Sequence, residues 1–322
     1  MQEKKTVAVK NKKPCMERFK LALRRNWQLY LIMAVPFIWL IVFRYIPMVG
    51  VQIAFRNYRA ADGIFGSQWV GLEYFKKFFD SYLFTDVMKN TIILSVYNLI
   101  ANFPLPIIFA LALNNTRRKK LKKTTQMIAY MPHFISLVVM VGIVIQFLNK
   151  RVGIINMGIA TLGGQPQDFM ANASAFKHIY VWSDVWQNLG WNSIIYIAAL
   201  SGIDQDLHEA AQIDGANRFQ RMFHIDIPGI VPTIVMLLIM NTGYMMSLGF
   251  EKAFLMQNDL NRGASEILST FVYKMGLASS FPDFSYGAAI GLFNSVINLV
   301  IILVVNKIAK KFAGISLWGS VK

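Results

Sequence analysis

Six long runs of uncharged, mainly apolar residues constrain this chain more than any other feature. A helix needs about 20 such residues to cross the hydrocarbon core of a membrane. The whole chain is 55% hydrophobic and only 16% charged, whereas soluble domains carry roughly 25% charged residues. We therefore expect an all-α integral membrane protein with six transmembrane helices. The predicted spans run from about Trp27–Val51, Asn90–Leu113, Thr125–Leu148, Lys177–Ser201, Ile230–Phe250 and Tyr286–Val305.

Lys and Arg are distributed unevenly between the segments that connect these runs. One set, which holds the N-terminus, the run RRKKLKK at 117–123, the 209–228 connection and the C-terminal tail, carries 21 of them, against 10 in the opposite set. Cytoplasmic segments are enriched in Lys and Arg, so we place the first set and both termini in the cytoplasm. The apolar run that begins near Tyr30 is longer than the core of a signal peptide, about 7–15 residues, and predicts a retained first span. The formal charge of +16 fits this control of topology better than binding to nucleic acid.

Signatures of catalysis and of an internal energy source are missing from the sequence. It contains neither a G-x-x-x-x-G-K-[ST] phosphate loop nor a G-x-S-x-G elbow, and its single cysteine, Cys15, leaves no cysteine-rich metal site. We expect no enzyme, no metal site and no cofactor bound by this chain. Acids and bases within the spans are also few, chiefly His133 and Asp184, which disfavours an ion-coupled carrier.

Uncharged polar residues are frequent in the predicted spans. Amides can bond sugar hydroxyls, and aromatic faces suit the C–H side of a sugar ring, so we interpret a subset as a substrate path. The alternative, that such amides bond across helices and hold the bundle together, stays open. The candidate path residues are Asn98, Asn102, Trp186, Asn188, Asn192, Asn241 and Tyr244.

The connection at 209–228, EAAQIDGANRFQRMFHIDIP, mixes charged, amide and apolar residues, unlike the apolar runs on either side. Asp206 stands three residues before Glu209, the spacing of a capping box, and Asp214–Gly215 indicates a turn. We expect two short cytoplasmic helices, the second over about Asn217–Ile225, with Pro228 marking the entry to the next span.

This stretch resembles the EAA motif of permease subunits of bacterial ABC importers, EAA-x3-G-x9-I-x-LP. Ile227 replaces the usual Leu, and the DGA triplet that closes the first helix is similar to the sugar-importing branch. The segments LYLIMAVPFIWLIVFRYIPMVGVQIAF and WVGLEYFKKFF resemble permeases of complex-carbohydrate and oligosaccharide importers. The motif positions are Glu209, Ala210, Ala211, Asp214, Gly215, Ala216, Ile225 and Pro228.

The resemblance implies a type I permease core over 89–306, whose coupling helix, about 204–228, docks on an ATPase. It also implies a basic cytoplasmic segment at 1–26, a first span at 27–51, an extracytoplasmic segment at 52–88 and a cytoplasmic tail at 307–322. The implied partners are a homologous second permease, two cytoplasmic ATPase subunits that bind ATP and Mg, an extracytoplasmic solute-binding protein and a carbohydrate. The implied location is a bacterial plasma membrane.

Two other functions stay open. An ABC permease for a non-sugar solute such as a peptide would share the motif but would favour charged groups in its path. A membrane enzyme acting on lipid-linked sugars would need paired acids or metal ligands near an interface. The sequence leaves open which sugar is carried and whether the two permeases are identical.

Overall fold

A computed structural model describes residues 24–247 and 249–317. Cys15, most of the basic segment 1–26, and the last residues of the tail lie outside this range. The described residues are mainly helical, with one short antiparallel hairpin in which Arg56 pairs with Trp69.

The elements follow one another in chain order. The α-helices are α1 Trp27–Leu40, α2 Ile46–Met48, α3 Gly63–Gly66, α4 Glu73–Phe79, α5 Phe84–Asn102, α6 Pro104–Asn114, α7 Lys119–Tyr130, α8 Leu137–Leu148, α9 Ile154–Thr161, α10 Ala173–Ser201, α11 Gln205–Ile213, α12 Arg218–Arg221, α13 Ile227–Gly243, α14 Phe250–Met256, α15 Arg262–Ser265, α16 Leu268–Tyr273 and α17 Phe284–Ala313. The strands are β1 Arg56–Asn57 and β2 Gln68–Trp69. Turns of 3₁₀-helix cover Val49–Phe55 and Met131–Phe134, and π-helical turns cover Ile41–Tyr45, Met222–Asp226 and Lys274–Ala278.

Four helical stretches in the described part of the chain are long and apolar enough to cross a membrane. A bent pair, Lys119–Phe134 with Leu137–Leu148, makes a fifth if it counts as one span. The predicted fourth span falls on α10, a continuous helix of 29 residues that is not among the apolar candidates. The four stretches are Trp27–Phe55, Phe84–Asn114, Arg218–Gly243 and Phe284–Ala313.

Two predicted spans are interrupted. The third predicted span, over 125–148, is formed by two helices, because the chain turns by 101° between its two halves. Pro132 lies in the 3₁₀ turn, and Ser136 then starts a new helix by accepting a bond from the Val139 N–H at 3.4 Å. The second span has a one-residue break at Phe103, which keeps α backbone angles; Pro104, which follows it, has no N–H to donate to the preceding turn.

The second short helix of the 209–228 connection was predicted to end near Ile225, and this prediction is wrong. A helix starting at Arg218 continues without a break to Gly243, through Pro228. A π turn makes this possible: the Ile227 N–H bonds to the Met222 carbonyl, five residues back. The same device precedes Pro47 in the first span, where the Ile46 N–H reaches the Ile41 carbonyl. The wider turn shifts the hydrogen bonds just before the residue that lacks an N–H.

The long helix α10 is the centre of the packing and positions the site. It packs against α5, α6, α7 and α13. A Cβ atom on Gly190 would lie 2.2 Å from the Ala129 carbonyl oxygen, so only glycine allows α7 to come this close. The segment 251–284 supplies buried residues such as Ile267 and Leu268 to the helix bundle.

Candidate functional site

A polar cavity of about 380 Å³ lies between α5, α10, the end of α13 and the start of α14. In a chain this apolar, a concentration of amides around one void is unusual. Six of the seven predicted path residues line it, and Trp186 does not. The six are Asn98, Asn102, Asn188, Asn192, Asn241 and Tyr244.

Trp186 lies on another face of α10. It is two residues beyond Asp184, and at 3.6 residues per turn this places it about 200° around the helix. Its side chain is 47% exposed. The aromatic–amide alternation that suggested a sugar path therefore places the amides and this ring on different sides of the helix.

An ion pair that the sequence reasoning missed lies in the wall of the cavity. Lys252 Nζ is 3.4 Å from Asp184 Oδ1, donates to the Tyr180 carbonyl at 2.8 Å and lies 4.7 Å from the centre of the Tyr180 ring. A positional signal existed, because an acid within a membrane span usually has a charged partner.

Amides complete the coordination of the Asp184 carboxylate. The Asn102 amide donates to Oδ2 at 3.0 Å and to Asn98 Oδ1 at 2.6 Å, and the Asn188 amide donates to Oδ1 at 3.2 Å. His133 Nδ1 lies 2.9 Å from Asn188 Oδ1, so this histidine is a hydrogen-bonding residue at a helix end, as its sequence position indicates. Asn102 and Asn188 therefore do hold helices together as well as line the cavity, whereas Asn98 bonds to Asn102 of its own helix.

Three other lining residues have free polar groups. Within residues 24–247 and 249–317, no side-chain hydrogen bond engages Asn192, Asn241 or Tyr244, and each is exposed to the void. Ser95 Oγ and Asn102 Oδ1 are buried at the wall without a partner in the same part of the chain. These groups can bond hydroxyls of a bound solute.

The described residues contain no group of three or more His, Cys, Asp or Glu that could hold a metal ion. The cavity lining consists of hydrogen-bonding side chains and one ion pair, Asp184–Lys252. Such a lining suits binding and passage of a polar solute.

The connection between α10 and α13 is a second candidate site. Asp204, not Asp206, caps α11 by accepting a bond from the Asp206 N–H at 3.0 Å. The helix ends at Ile213, and Gly215 follows with φ +81°, the left-handed turn that the sequence predicts. Asn217 and Gln220 then form a reciprocal capping box that starts α12.

The motif residues are accessible to different degrees. Glu209, Ala210, Asp214, Gly215 and Pro228 are exposed, while Ala211, Ala216 and Ile225 are partly buried. A concave surface of about 330 Å³ runs between the two arms of the connection. Its lining includes Ala211, Asp214, Gly215, Ala216 and Ile225 from the motif, together with Gln220, Arg221 and His224.

Large apolar side chains flank the motif. Leu207, Ile213 and Phe219 are more than half exposed, although the segment belongs to a charged connection. An exposed apolar patch rimmed by polar residues is typical of a surface that contacts another protein.

Comparisons with known proteins place this geometry in context. Residues 102–314 match the family described as "Binding-protein-dependent transport system inner membrane component". LplB of Bacillus subtilis (strain 168) is 41% identical over 291 residues, which cover 90% of this chain and 91% of that protein. The polygalacturonan/rhamnogalacturonan transport system permease protein YteP of the same organism is 40% identical, with 95% of this chain and 94% of that protein covered.

A solved structure has the same fold. It is a chain of a bacterial alginate ABC transporter in complex with a periplasmic protein that holds an alginate pentasaccharide. The two chains superpose with a TM-score of 0.85 at 34% identity, over 93% of this chain and 100% of that one.

Proposed function

This chain belongs to the family of binding-protein-dependent transport system inner membrane components, and from that membership we propose that it forms the path by which an oligosaccharide enters a bacterial cell. A member of this family is a membrane permease subunit, a transport component and not an enzyme. The substrate class is supported by the relatives, whose names refer to polygalacturonan, rhamnogalacturonan and alginate.

The polar cavity is the observation that carries the proposal. Its amides and phenol offer both donors and acceptors, which is the chemistry that sugar hydroxyls require. Asn192, Asn241 and Tyr244 contact the solute directly, since their polar groups are free. Asn102 and Asn188 bind it less directly, because their hydrogen bonds already position Asp184, and Asn98 accepts a bond from Asn102.

The proposed topology has six spans, with both termini in the cytoplasm. The five apolar stretches supply five of them, and α10 is the sixth. Its polar side lines the cavity, which explains why its mean hydropathy is lower than that of the others. The segment 52–88 then lies outside the cell, the core covers 89–306, and 1–26 and 307–322 lie inside.

The proposed energy source is a pair of ATPase subunits that dock on α11. Glu209 and Ala210 are exposed on this helix, and Asp214, Gly215 and Ala216 form its end. Small side chains allow a partner to approach closely. ATP and Mg are held by the ATPase subunits.

The continuous helix from Arg218 to Gly243 provides the mechanical link. Because α12, the second arm of the connection, runs into the span without a break, a displacement at Ile225 or Pro228 moves the whole helix. That helix ends next to Asn241 and Tyr244, at the cavity. Docking and solute access are thereby connected within one rigid element.

Two further partners complete the proposed importer. A homologous second permease closes the other side of the path, and an extracytoplasmic binding protein delivers the solute. The solved alginate transporter, which was captured with its periplasmic protein, supports this arrangement for the present chain.

Uptake by the assembled importer tests the proposal. Proteoliposomes that contain this chain, a second permease and the ATPases are loaded with ATP and given labelled oligosaccharides or labelled peptides with the binding protein. We expect uptake of oligosaccharide that depends on ATP and that vanadate inhibits. Uptake of peptide without uptake of any oligosaccharide would overturn the substrate class.

A further inference from the structure

The charges in the cavity wall are internally compensated, and this limits what the cavity can bind. Among its described lining residues, Asp184 and Lys252 are the only two that carry charge. They form one ion pair, so the wall is formally neutral. The other polar groups are amides, hydroxyls and phenols.

Lys252 is unable to serve as a receptor for an anion. Its side chain is only 4% exposed, and its ammonium group is already engaged by a carboxylate, a carbonyl and an aromatic face. An incoming carboxylate would have to compete with all three while losing its own water.

Asp184 is the more accessible member of the pair. Its side chain is 25% exposed, and it is held in place by amides from Asn102 and Asn188. A solute in the cavity therefore meets the partly exposed side of a carboxylate. A second carboxylate is repelled there, and a hydroxyl is not.

We propose that this cavity accepts uncharged sugar units and excludes uronates, and that Asp184 determines this selectivity by pairing with Lys252, the one cation among the described lining residues. The inference rests on the proposed function and makes its substrate class more specific. It separates the cavity of this chain from the acidic polymers named for its relatives. In an importer that carries such a polymer, the balancing cations must come from another subunit or another part of the path.

Calorimetric binding to the assembled importer in nanodiscs, without the binding protein, tests this inference. The probes are xylotetraose and galactotetraose, which are neutral, and tetragalacturonate and tetramannuronate, which are acidic. We expect a neutral probe to bind at least about tenfold more tightly than either acid. Its affinity should change less than about twofold between roughly 50 and 500 mM NaCl, because screening affects charged partners only.

Asp184→Asn supplies the variant. It leaves the Lys252 ammonium without its counter-charge, so we expect tetragalacturonate to gain at least about tenfold in affinity, in a salt-sensitive manner. The double variant Asp184→Asn, Lys252→Met should lose that gain. The salt titration on the unmodified importer does not depend on the folding of either variant.

The outcomes separate the two claims. If an acidic probe binds the unmodified importer as tightly as the neutral ones, the exclusion of uronates is wrong and the carbohydrate path stands. If Asp184→Asn gains nothing, Asp184 does not set the selectivity. If none of the four probes binds, this inference is overturned, and the uptake assay with the binding protein decides the carbohydrate path separately.

Discussion

His208 and Asp226 connect the two arms of the docking element. His208 Nε2, on α11, lies 3.3 Å from Asp226 Oδ1, in the π turn that leads into α13. Asp226 is only 2% exposed, and the Asn114 amide of α6 approaches the same oxygen at 3.3 Å. The docking helix is thereby tied to a span and to its neighbour.

Removing this link should separate ATP hydrolysis from transport. In His208→Ala, α11 can move without displacing α13, so we expect ATPase activity to persist while sugar uptake falls at least about tenfold. His178→Ala is the matched control, because that exposed histidine of α10 bonds to the Tyr97 hydroxyl at 2.9 Å and lines neither the cavity nor the docking surface. Equal uptake in the two variants, measured in proteoliposomes, would show that the His208 contact carries no motion.

The left-handed turn at Gly215 gives a second test. A β-branched residue at φ +81° costs about 1–2 kcal/mol, so Gly215→Val should distort the end of α11 and reduce uptake at least about tenfold. Gly163 has the same φ, and its Cβ would also meet nothing within 4 Å. Gly163→Val therefore has the same backbone strain outside the docking element and should keep its uptake. Similar losses in both variants would point to general destabilisation.

Asn192 and Trp186 test which face of α10 contacts the solute. A lost hydrogen bond costs about 0.5–1.5 kcal/mol, so Asn192→Ala should raise the half-saturating sugar concentration by about two- to tenfold. Trp186→Phe changes a side chain outside the cavity lining and should leave the preference among sugars unchanged. The profile across several oligosaccharides is the measurement. A shifted preference in Trp186→Phe with none in Asn192→Ala would assign the path to the other face.

Glu266 predicts a pH dependence for the segment between α15 and α16. Burial by itself would raise the pKa of this carboxyl, but hydrogen bonds from Lys274 at 2.8 Å, Thr270 at 2.8 Å and Arg262 at 2.9 Å outweigh it and lower the pKa. A lowered pKa means that the ionised network stabilises the fold above the ordinary carboxyl value, about 4.3, and that this contribution is lost as the pH falls through the lowered value.

Glu266→Gln should therefore lower the thermal transition of the purified complex at pH 7, by an amount that corresponds to about 3 kcal/mol. The difference from the unmodified protein should shrink below about pH 4. A difference that stays constant from pH 7 to pH 3.5 would exclude the ion network as its cause.

Local chemistry explains which parts of this structure the sequence could predict. The turn at Gly215 and the apolar stretches depend on residues close together in the chain, and the structure contains both features as predicted. The path of the helix through Pro228 depends on a π turn, for which no sequence signal was recognised. A π turn also precedes Pro47 in the first span, and in both places the residue before the proline is isoleucine, Ile46 and Ile227.

Long-range pairing explains what the sequence could not predict. Asp184 and Lys252 are 68 residues apart, and only the packing of α14 on α10 brings them together. The amides at Asn98, Asn102 and Asn188 were predicted from the polar content of the spans, but the bonds of Asn102 and Asn188 to Asp184 could not be predicted without that ion pair. Helical periodicity along α10 is sufficient to place Trp186 on a different face from Asp184 and Asn188, so this part of the site could have been predicted from the sequence.

Cross-linking from Ala210 tests the central claim, that α11 faces the cytoplasm and docks on an ATPase. Ala210→Cys is placed in a Cys15→Ala background. Leu162→Cys serves as the control, because the Leu162 side chain is 90% exposed and the proposed topology places the connection between the third and fourth spans outside the cell. In intact cells, an impermeant maleimide should label the cysteine at 162 and not the one at 210, and a bifunctional reagent should join the cysteine at 210 to the ATPase. Labelling of position 210 from outside, without a cross-link to the ATPase, would contradict the account.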